Sequence, residues 1–197
     1  MADKSTVDPT VDLVERAVAQ MGEVIAAISP DQAHSPTPCQ DWDVDQLIGH
    51  IAGQILGSFA DSARGETPDW AAEPEDIGTD WAEEFRVRSA PLLAAWRSAE
   101  LDRLVPGPGG EAPLRGRASQ QIAEFAMHSW DLGRATGQTL DLDPELAEHA
   151  LDWSRSMLRP EYRGEGKTFG LEVPISADAP VYDRLAAWFG RDPGWKA

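Results

Sequence analysis

EFAMHSWDLGRATG, residues 124–137, sets polar side chains into a run that otherwise reads as a buried helix. Phe125, Ala126, Met127 and Trp130 supply the apolar part, with Ile122 just before them. Glu124 and His128 stand four residues apart, and Asp131 and Arg134 follow. Residues four apart on an α-helix share a face, with Cβ atoms roughly 5–6 Å apart. A carboxylate taken out of water needs a partner. Either this face is solvated, or Glu124 and His128 together hold something. Chelation of one cation from consecutive turns is the chemistry this spacing serves, as in the His pairs of zinc enzymes and the carboxylate–His pairs of di-iron bundles.

The helix carrying the stretch runs from about Ala118 to Thr136, with Gly137 as the C′ residue that ends it. Upstream, Leu13, Val14, Ala17, Val18, Met21, Val24, Ile25 and Ile28 recur at helical spacing and predict a first helix over Thr10–Ser29, stopped by Pro30. The linker PDQAHSPTPCQDWD (residues 30–43) is too rich in proline for regular structure. Asp43 then reads as an N-cap with Gln46 at N3, and Trp42 as a staple onto Leu47. The helix they open carries Leu47, Ile48, Ile51, Ile55, Leu56 and Phe59 and stops near Gly65. Residues 66–79 read as a loop. Asp80 and Glu83 suggest another capping box, opening a helix with Trp81, Phe85, Leu92, Leu93 and Trp96 inward, and Pro91 predicts a kink or break within it. VPGPGGEAP (residues 105–113) reads as a plain interruption.

Four amphipathic helices joined this way predict an all-α fold, a four-helix bundle over about residues 8–137. Asp143 and Pro144 read as N-cap and N1 of a further helix to about Leu158. KTFGLEVPI (residues 167–175) reads as a short extended piece, and a short helix over Ala179–Phe189 is expected to pack on the bundle. Residues 138–197 are thus a C-terminal helical extension of a single domain spanning 1–197.

Charge narrows the partners. With 34 acidic against 17 basic residues, the formal net charge is −17. Nucleic acid and anionic membrane surfaces both require excess Lys and Arg, so neither is expected. No run of 18 apolar residues exists to span a membrane. The first residues, MADKSTVDPT, lack the basic and apolar regions of a secretory signal. A single Cys excludes an intrachain disulfide and fits a reducing compartment, so a cytoplasmic location is expected. No G-x-S-x-G, P-loop or dinucleotide fingerprint is present.

A lone E-x-x-x-H is common on solvated helix faces, and the chain holds a second one, Glu145 and His149 in PELAEHALDW. Glu148 and Asp152 lie beside that pair, which reads as solvated; the first pair has apolar neighbours. His50, among Leu47, Ile48 and Ile51 on another helix, is either a satisfied core histidine or a third ligand. Two His and one Glu would leave an open position, the arrangement of a catalytic zinc site rather than a closed structural one. Zinc suits these donors, and Ni, Fe or Mn fit them as well. Asp131 reads equally as the partner of a ligand histidine or as a surface residue. Arg134 reads as a complement to the helix dipole, with an anionic substrate contact as the other reading. Trp42 and Trp130 read as core. Cys39 reads as a small buried hydrophobe, although a thiol near a helix N-terminus can be acidified.

TPCQDWDVDQLIGHIAG (residues 37–53), EFAMHSWDLGRATG and DRLAAWFGRDPGW (residues 183–195) together resemble the actinobacterial metal-binding proteins related to the N-terminal domain of mycothiol-dependent maleylpyruvate isomerase, within the DinB-like set of four-helix metalloproteins. The resemblance covers nearly the whole chain. It implies His50, Glu124 and His128 as metal ligands, the set that spacing also reaches. It further implies that the open position receives the thiolate of a low-molecular-weight thiol, mycothiol, for isomerisation or S-transfer on a small electrophilic substrate. No separate C-terminal domain like the isomerase's is expected after the bundle, so on this reading the maleylpyruvate substrate does not carry over with the ligands. A hydrolase using metal-activated water and a non-catalytic metal or small-molecule binding stress protein are the alternatives.

Overall fold

A computed structural model of the chain describes residues 7–40, 42–107, 110–139, 141–164, 166–167 and 169–197. Its first helix, α1 (Pro9–Ala26), starts where Asp8 accepts a hydrogen bond from Thr10 N and Pro9 takes the first helical position. It ends three residues before the expected Ser29, because Ser29 caps a short 3₁₀ turn over Pro30–Gln32 instead. That turn is a regular piece within the linker, where the proline content predicts none.

Asp43 opens α2 (Val44–His50) through a reciprocal capping box: Gln46 N donates to Asp43 Oδ1 at 2.9 Å, and Asp43 N donates to Gln46 Oε1 at 3.0 Å. A π-helical turn, Ile51–Ile55, joins it to α3 (Leu56–Arg64). Gly65, at φ 84°, ends that rod in the left-handed turn that glycine adopts without strain. Asp80 caps α4 (Trp81–Ser98), which continues through Pro91. Of the expected kink or break, a break does not occur. Pro91 faces solvent, where water can satisfy the carbonyl that proline leaves without a donor.

VPGPGGEAP is a correction of another kind. β1 (Leu104–Gly107) and β2 (Gly110–Pro113) form an antiparallel hairpin, with Val105 opposite Ala112. A lone two-stranded ribbon is all edge, so it tolerates prolines that would be excluded from a central strand. α5 (Arg115–Ala135) follows and closes with a Schellman motif: Gln138 N reaches Gly133 O, Gly137 N reaches Arg134 O, and Gly137 sits at φ 67°.

Four rods make the bundle. α1 packs on α4 and α5, α3 packs on α4 and α5, and α2 reaches α5. Met21, Ile25, Leu47, Ile51, Phe59, Leu92, Trp96, Ile122 and Phe125 fill the space between them and are fully buried. α6 (Pro144–Met157), capped by Asp143, and α7 (Val181–Trp188) lie against α5 from outside the bundle. α5 is therefore covered on nearly every side, which is why Ala126, His128, Ser129, Asp131 and Leu132 are all buried. No strand forms among the described residues of 167–175; Phe169 makes one bridge to Arg163, and Thr168 lies outside them. Among the described residues, no helix is long and apolar enough to cross a membrane.

Candidate metal centre

His50 stands at the last position of α2, where the helix passes into the π turn. Such turns insert a residue into the hydrogen-bond ladder and recur at functional sites. Here the turn has a visible consequence. Gly53 O accepts a hydrogen bond from Glu75 N at 3.1 Å, and a Cβ on Gly53 would lie 2.5 Å from Glu75 O. Only glycine lets the 66–79 loop settle this closely on the rod. Gln54 ties the same loop down, its Nε2 donating to Ala72 O at 2.6 Å and Trp70 O at 3.3 Å. Two carbonyl partners fix the amide's orientation, so Gln54 Oε1 faces His50 Nδ1 at 2.7 Å as an acceptor. His50 therefore carries its proton on Nδ1 and presents Nε2 as a lone pair. Trp42, at the other end of α2, stacks on the imidazole with ring centroids 4.4 Å apart.

α5 supplies the facing half. His128 Nδ1 donates to Asp131 Oδ2 at 3.0 Å, and its Nε2 lies 3.4 Å from Glu124 Oε2. Asp131 is fully buried and is held from its far side by Arg191, whose Nε and Nη2 reach the two carboxylate oxygens at 3.3 and 3.1 Å. Arg191 arrives there because α7 ends in a second Schellman motif, with Arg191 N on Ala186 O and Gly190 N on Ala187 O. Gly190, at φ 83°, crosses the backbone of Gly170 so closely that a Cβ would lie 2.7 Å from Gly170 Cα. The turn aims the guanidinium back at α5.

The ligand atoms of His50, Glu124 and His128 all lie within 4.8 Å of one another, the one such group of histidine and acidic side chains among the described residues. The charge states of His50 and Glu124 suit coordination. Burial, seconded by the nearby His128, pushes His50 down and keeps it neutral. Burial would raise the Glu124 carboxyl, but the hydrogen bond and charge of His128, with His50 and Arg191, outweigh it and hold it below the ordinary carboxylate range. Asp131 is likewise held low against burial, by Arg191 and His128. Burial opposes protonation of His128, but the hydrogen bonds and charges of Asp131 and Glu124 outweigh it and hold the imidazole above its ordinary value, so a metal taking Nε2 must displace a proton there. Two imidazole Nε2 atoms and one carboxylate, each imidazole fixed through its other nitrogen, form a donor set that fits one divalent ion. The Glu124 side chain keeps 34% of its exposure, so the centre is reachable from solvent. A cleft of about 590 Å³, lined by Trp42, Gln46, His50, Glu73 and Asp76, opens beside it.

Other residues singled out in the sequence fall elsewhere. Arg134 bonds Asp183 at 3.0 Å and lies over the Trp130 ring, away from the three clustered side chains. Glu145 and His149 are not a solvated pair. Glu145 is exposed but bonds Arg16 at 2.8 Å, and His149 is half-buried with Nε2 3.0 Å from Ser119 Oγ. Trp130 is buried as expected; Trp42 is not, and it walls the centre instead. Cys39 is half-buried and lies within electrostatic reach of Arg191. Gln54 and Arg191 were missed. His50–Gln54 is a four-residue spacing that periodicity could have flagged, whereas nothing local links Arg191 to Asp131.

Bundle and side-chain cluster together define a helical protein with a His–Glu–His centre at the meeting of α2 and α5. The chain belongs to the family of the mycothiol maleylpyruvate isomerase N-terminal domain, whose model matches residues 14–133. An uncharacterized protein of Mycobacterium tuberculosis, found in strains CDC 1551 / Oshkosh and ATCC 25618 / H37Rv, is 32% identical over 189 residues, covering 90% of this chain and 94% of its own. The fold is also that of the mycothiol-dependent maleylpyruvate isomerase crystal structure (TM-score 0.61, 17% identity) and of a histidine-to-alanine mutant of it (TM-score 0.62, 17% identity). Each likeness covers 97% of this chain and 82% of the other, so it runs through the C-terminal extension as well as the bundle.

Proposed function

We propose that the chain is a metal- and thiol-dependent enzyme, an isomerase or S-transferase acting on a small electrophile, with mycothiol as the thiol. The observation that carries this reading is the cluster of His50, Glu124 and His128 ligand atoms, supported by membership of a family named for mycothiol-dependent isomerisation. A divalent ion bound there, zinc being the best match to the donors, would supply Lewis acidity that lowers the pKa of a thiol in its open position.

The chain's own residues set the rest. Gln54 and Asp131 hold the two imidazoles by Nδ1, leaving both Nε2 atoms aimed inward. Glu124, Asp131 and Arg191 together carry one net negative charge, so a dication leaves the centre at +1. An anion in the open position brings it to neutrality, which favours a thiolate over a neutral ligand. Trp42 walls one side, and the cleft beside His50 is wide enough for a small electrophile to approach.

Cobalt-substituted protein titrated with mycothiol tests the reading. We expect a near-ultraviolet sulfur-to-cobalt band, lost in His128→Ala and retained in Cys39→Ser. A band present without added thiol and abolished by Cys39→Ser would overturn the external-thiol mechanism.

A further inference from the structure

A second cavity lies on the same face of α5, nearer its N-terminal end. It measures about 230 Å³ and is walled by the end of α3, the start of the 66–79 loop, β1 and the first turns of α5. Arg117 stands in its wall, half-buried, with its guanidinium 5.3 Å from the centroid of the Trp70 ring. Seven residues separate Arg117 from Glu124, so the two project from α5 in nearly the same direction, about 10 Å apart along the axis.

Arg117 differs from the arginines that are tied to acids. Arg16, Arg64, Arg88, Arg115 and Arg191 each reach a carboxylate. Arg117 donates only to neutral oxygens, Gln120 Oε1 at 2.9 Å and Pro106 O at 3.3 Å. No carboxylate among the described residues pairs with it, in a chain where acids outnumber bases two to one. Burial lowers its pKa. Glu66 also lines the cavity, but Arg64 engages its carboxylate at 3.2 Å. Arg163 and Arg103 likewise form no ion pair among the described residues, Arg163 donating to the carbonyls of Trp188 and Gly170 and Arg103 to those of Ser62 and Ala63, but of the three only Arg117 stands in the wall of this cavity.

We propose that this cavity is a binding site for a small organic carboxylate, its anionic group on Arg117 and its apolar body against Trp70. Guanidinium matches carboxylate as a planar two-pronged donor, and a partly desolvated guanidinium gains more from that pairing than an exposed one. The cavity volume suits an acid of one ring or a short chain. The site is separate from the metal centre and does not depend on a metal being bound.

Benzoate serves as the probe, with benzamide as its neutral isostere, in calorimetric titrations of the full-length protein. A Kd for benzoate on the order of 1 mM is expected, as for one desolvated charged pair with ring contact. Benzamide should bind at least tenfold more weakly. Arg117→Gln should abolish benzoate binding while leaving the circular dichroism spectrum unchanged, and His128→Ala should leave it intact. No binding up to 20 mM, equal affinity for benzamide, or binding that survives Arg117→Gln would each overturn the site. Retention in Arg117→Gln with loss in His128→Ala would assign the carboxylate to the metal centre instead. Inorganic phosphate binding as tightly as benzoate would overturn the choice of an organic acid.

Discussion

Replacing Arg191 with leucine should destabilise the fold more than any surface change and loosen the metal centre at the same time. Asp131 is fully buried, with its carboxylate divided between His128 Nδ1 and the two-pronged guanidinium of Arg191. The leucine leaves that charge buried with one partner. Removing one member of a buried ion pair typically costs about 3–5 kcal/mol. His128 remains as a donor, which places the expected loss near the lower end, about 3 kcal/mol. For a domain of this size that corresponds to a fall in Tm of roughly 6–12 °C. Because Asp131 sets the orientation of His128, zinc affinity should drop about 10- to 100-fold as well. Calorimetric melting and competition with a chromophoric chelator measure the two effects.

The discriminating control is Asp131→Asn combined with Arg191→Leu. If the cost of Arg191→Leu comes from the stranded carboxylate, neutralising that carboxylate should recover part of it, with a coupling of about 1–3 kcal/mol. Strict additivity of the two changes, or a loss below about 1 kcal/mol for Arg191→Leu alone, would refute the claim that the guanidinium compensates Asp131.

Gln54→Ala should weaken zinc binding by about 10-fold or more with little change in secondary structure, because it frees His50 Nδ1 and two loop carbonyls together; an unchanged Kd would remove Gln54 from the centre. His149→Ala should leave metal content intact but cost about 1 kcal/mol in urea unfolding, since Ser119 Oγ loses its partner in a half-buried setting. Tyr182 is pushed up to about 12, chiefly by burial. Its neutral form is the one the fold favours, so the associated stability, on the order of 2 kcal/mol, is fully present below the unfolded value near 10 and is lost as pH rises through 12. Absorbance at 295 nm, compared between the wild type and Tyr182→Phe, isolates this midpoint; a value at or below 10 would contradict the burial.

Helical periodicity made the four rods legible because each depends on a local repeat, and caps at Asp43, Asp80 and Asp143 marked where rods begin. Hydrophobic spacing says less about which rods touch, and here the reading went wrong in instructive ways. The acidic neighbours of His149 suggested a wet face, yet Leu146, Ala147, Ala150 and Leu151 turn α6 inward beside it and bring it to Ser119 on α5. The glycines and prolines of VPGPGGEAP hid a hairpin because such a ribbon needs no alternating apolar face. Trp42 reads from sequence as a core residue, whereas stacking on His50 gives a partly exposed indole an equally good place.

The centre itself shows where one-dimensional pattern stops carrying information. Glu124 and His128 were conspicuous because they conflict with their own apolar helix, and His50 because it does the same on another. Such conflicts with local patterning are expected where function overrides it. What resolves the conflict is not local. Gln54 is oriented by carbonyls of the 66–79 loop, and Asp131 is compensated by Arg191, 60 residues away, through a glycine turn at the end of α7. Buried polar networks are worth their cost only when every member is satisfied. The extension after the bundle is thus part of the site: α7 and the Gly190 turn bring the Arg191 guanidinium to the buried Asp131, whose carboxylate holds His128.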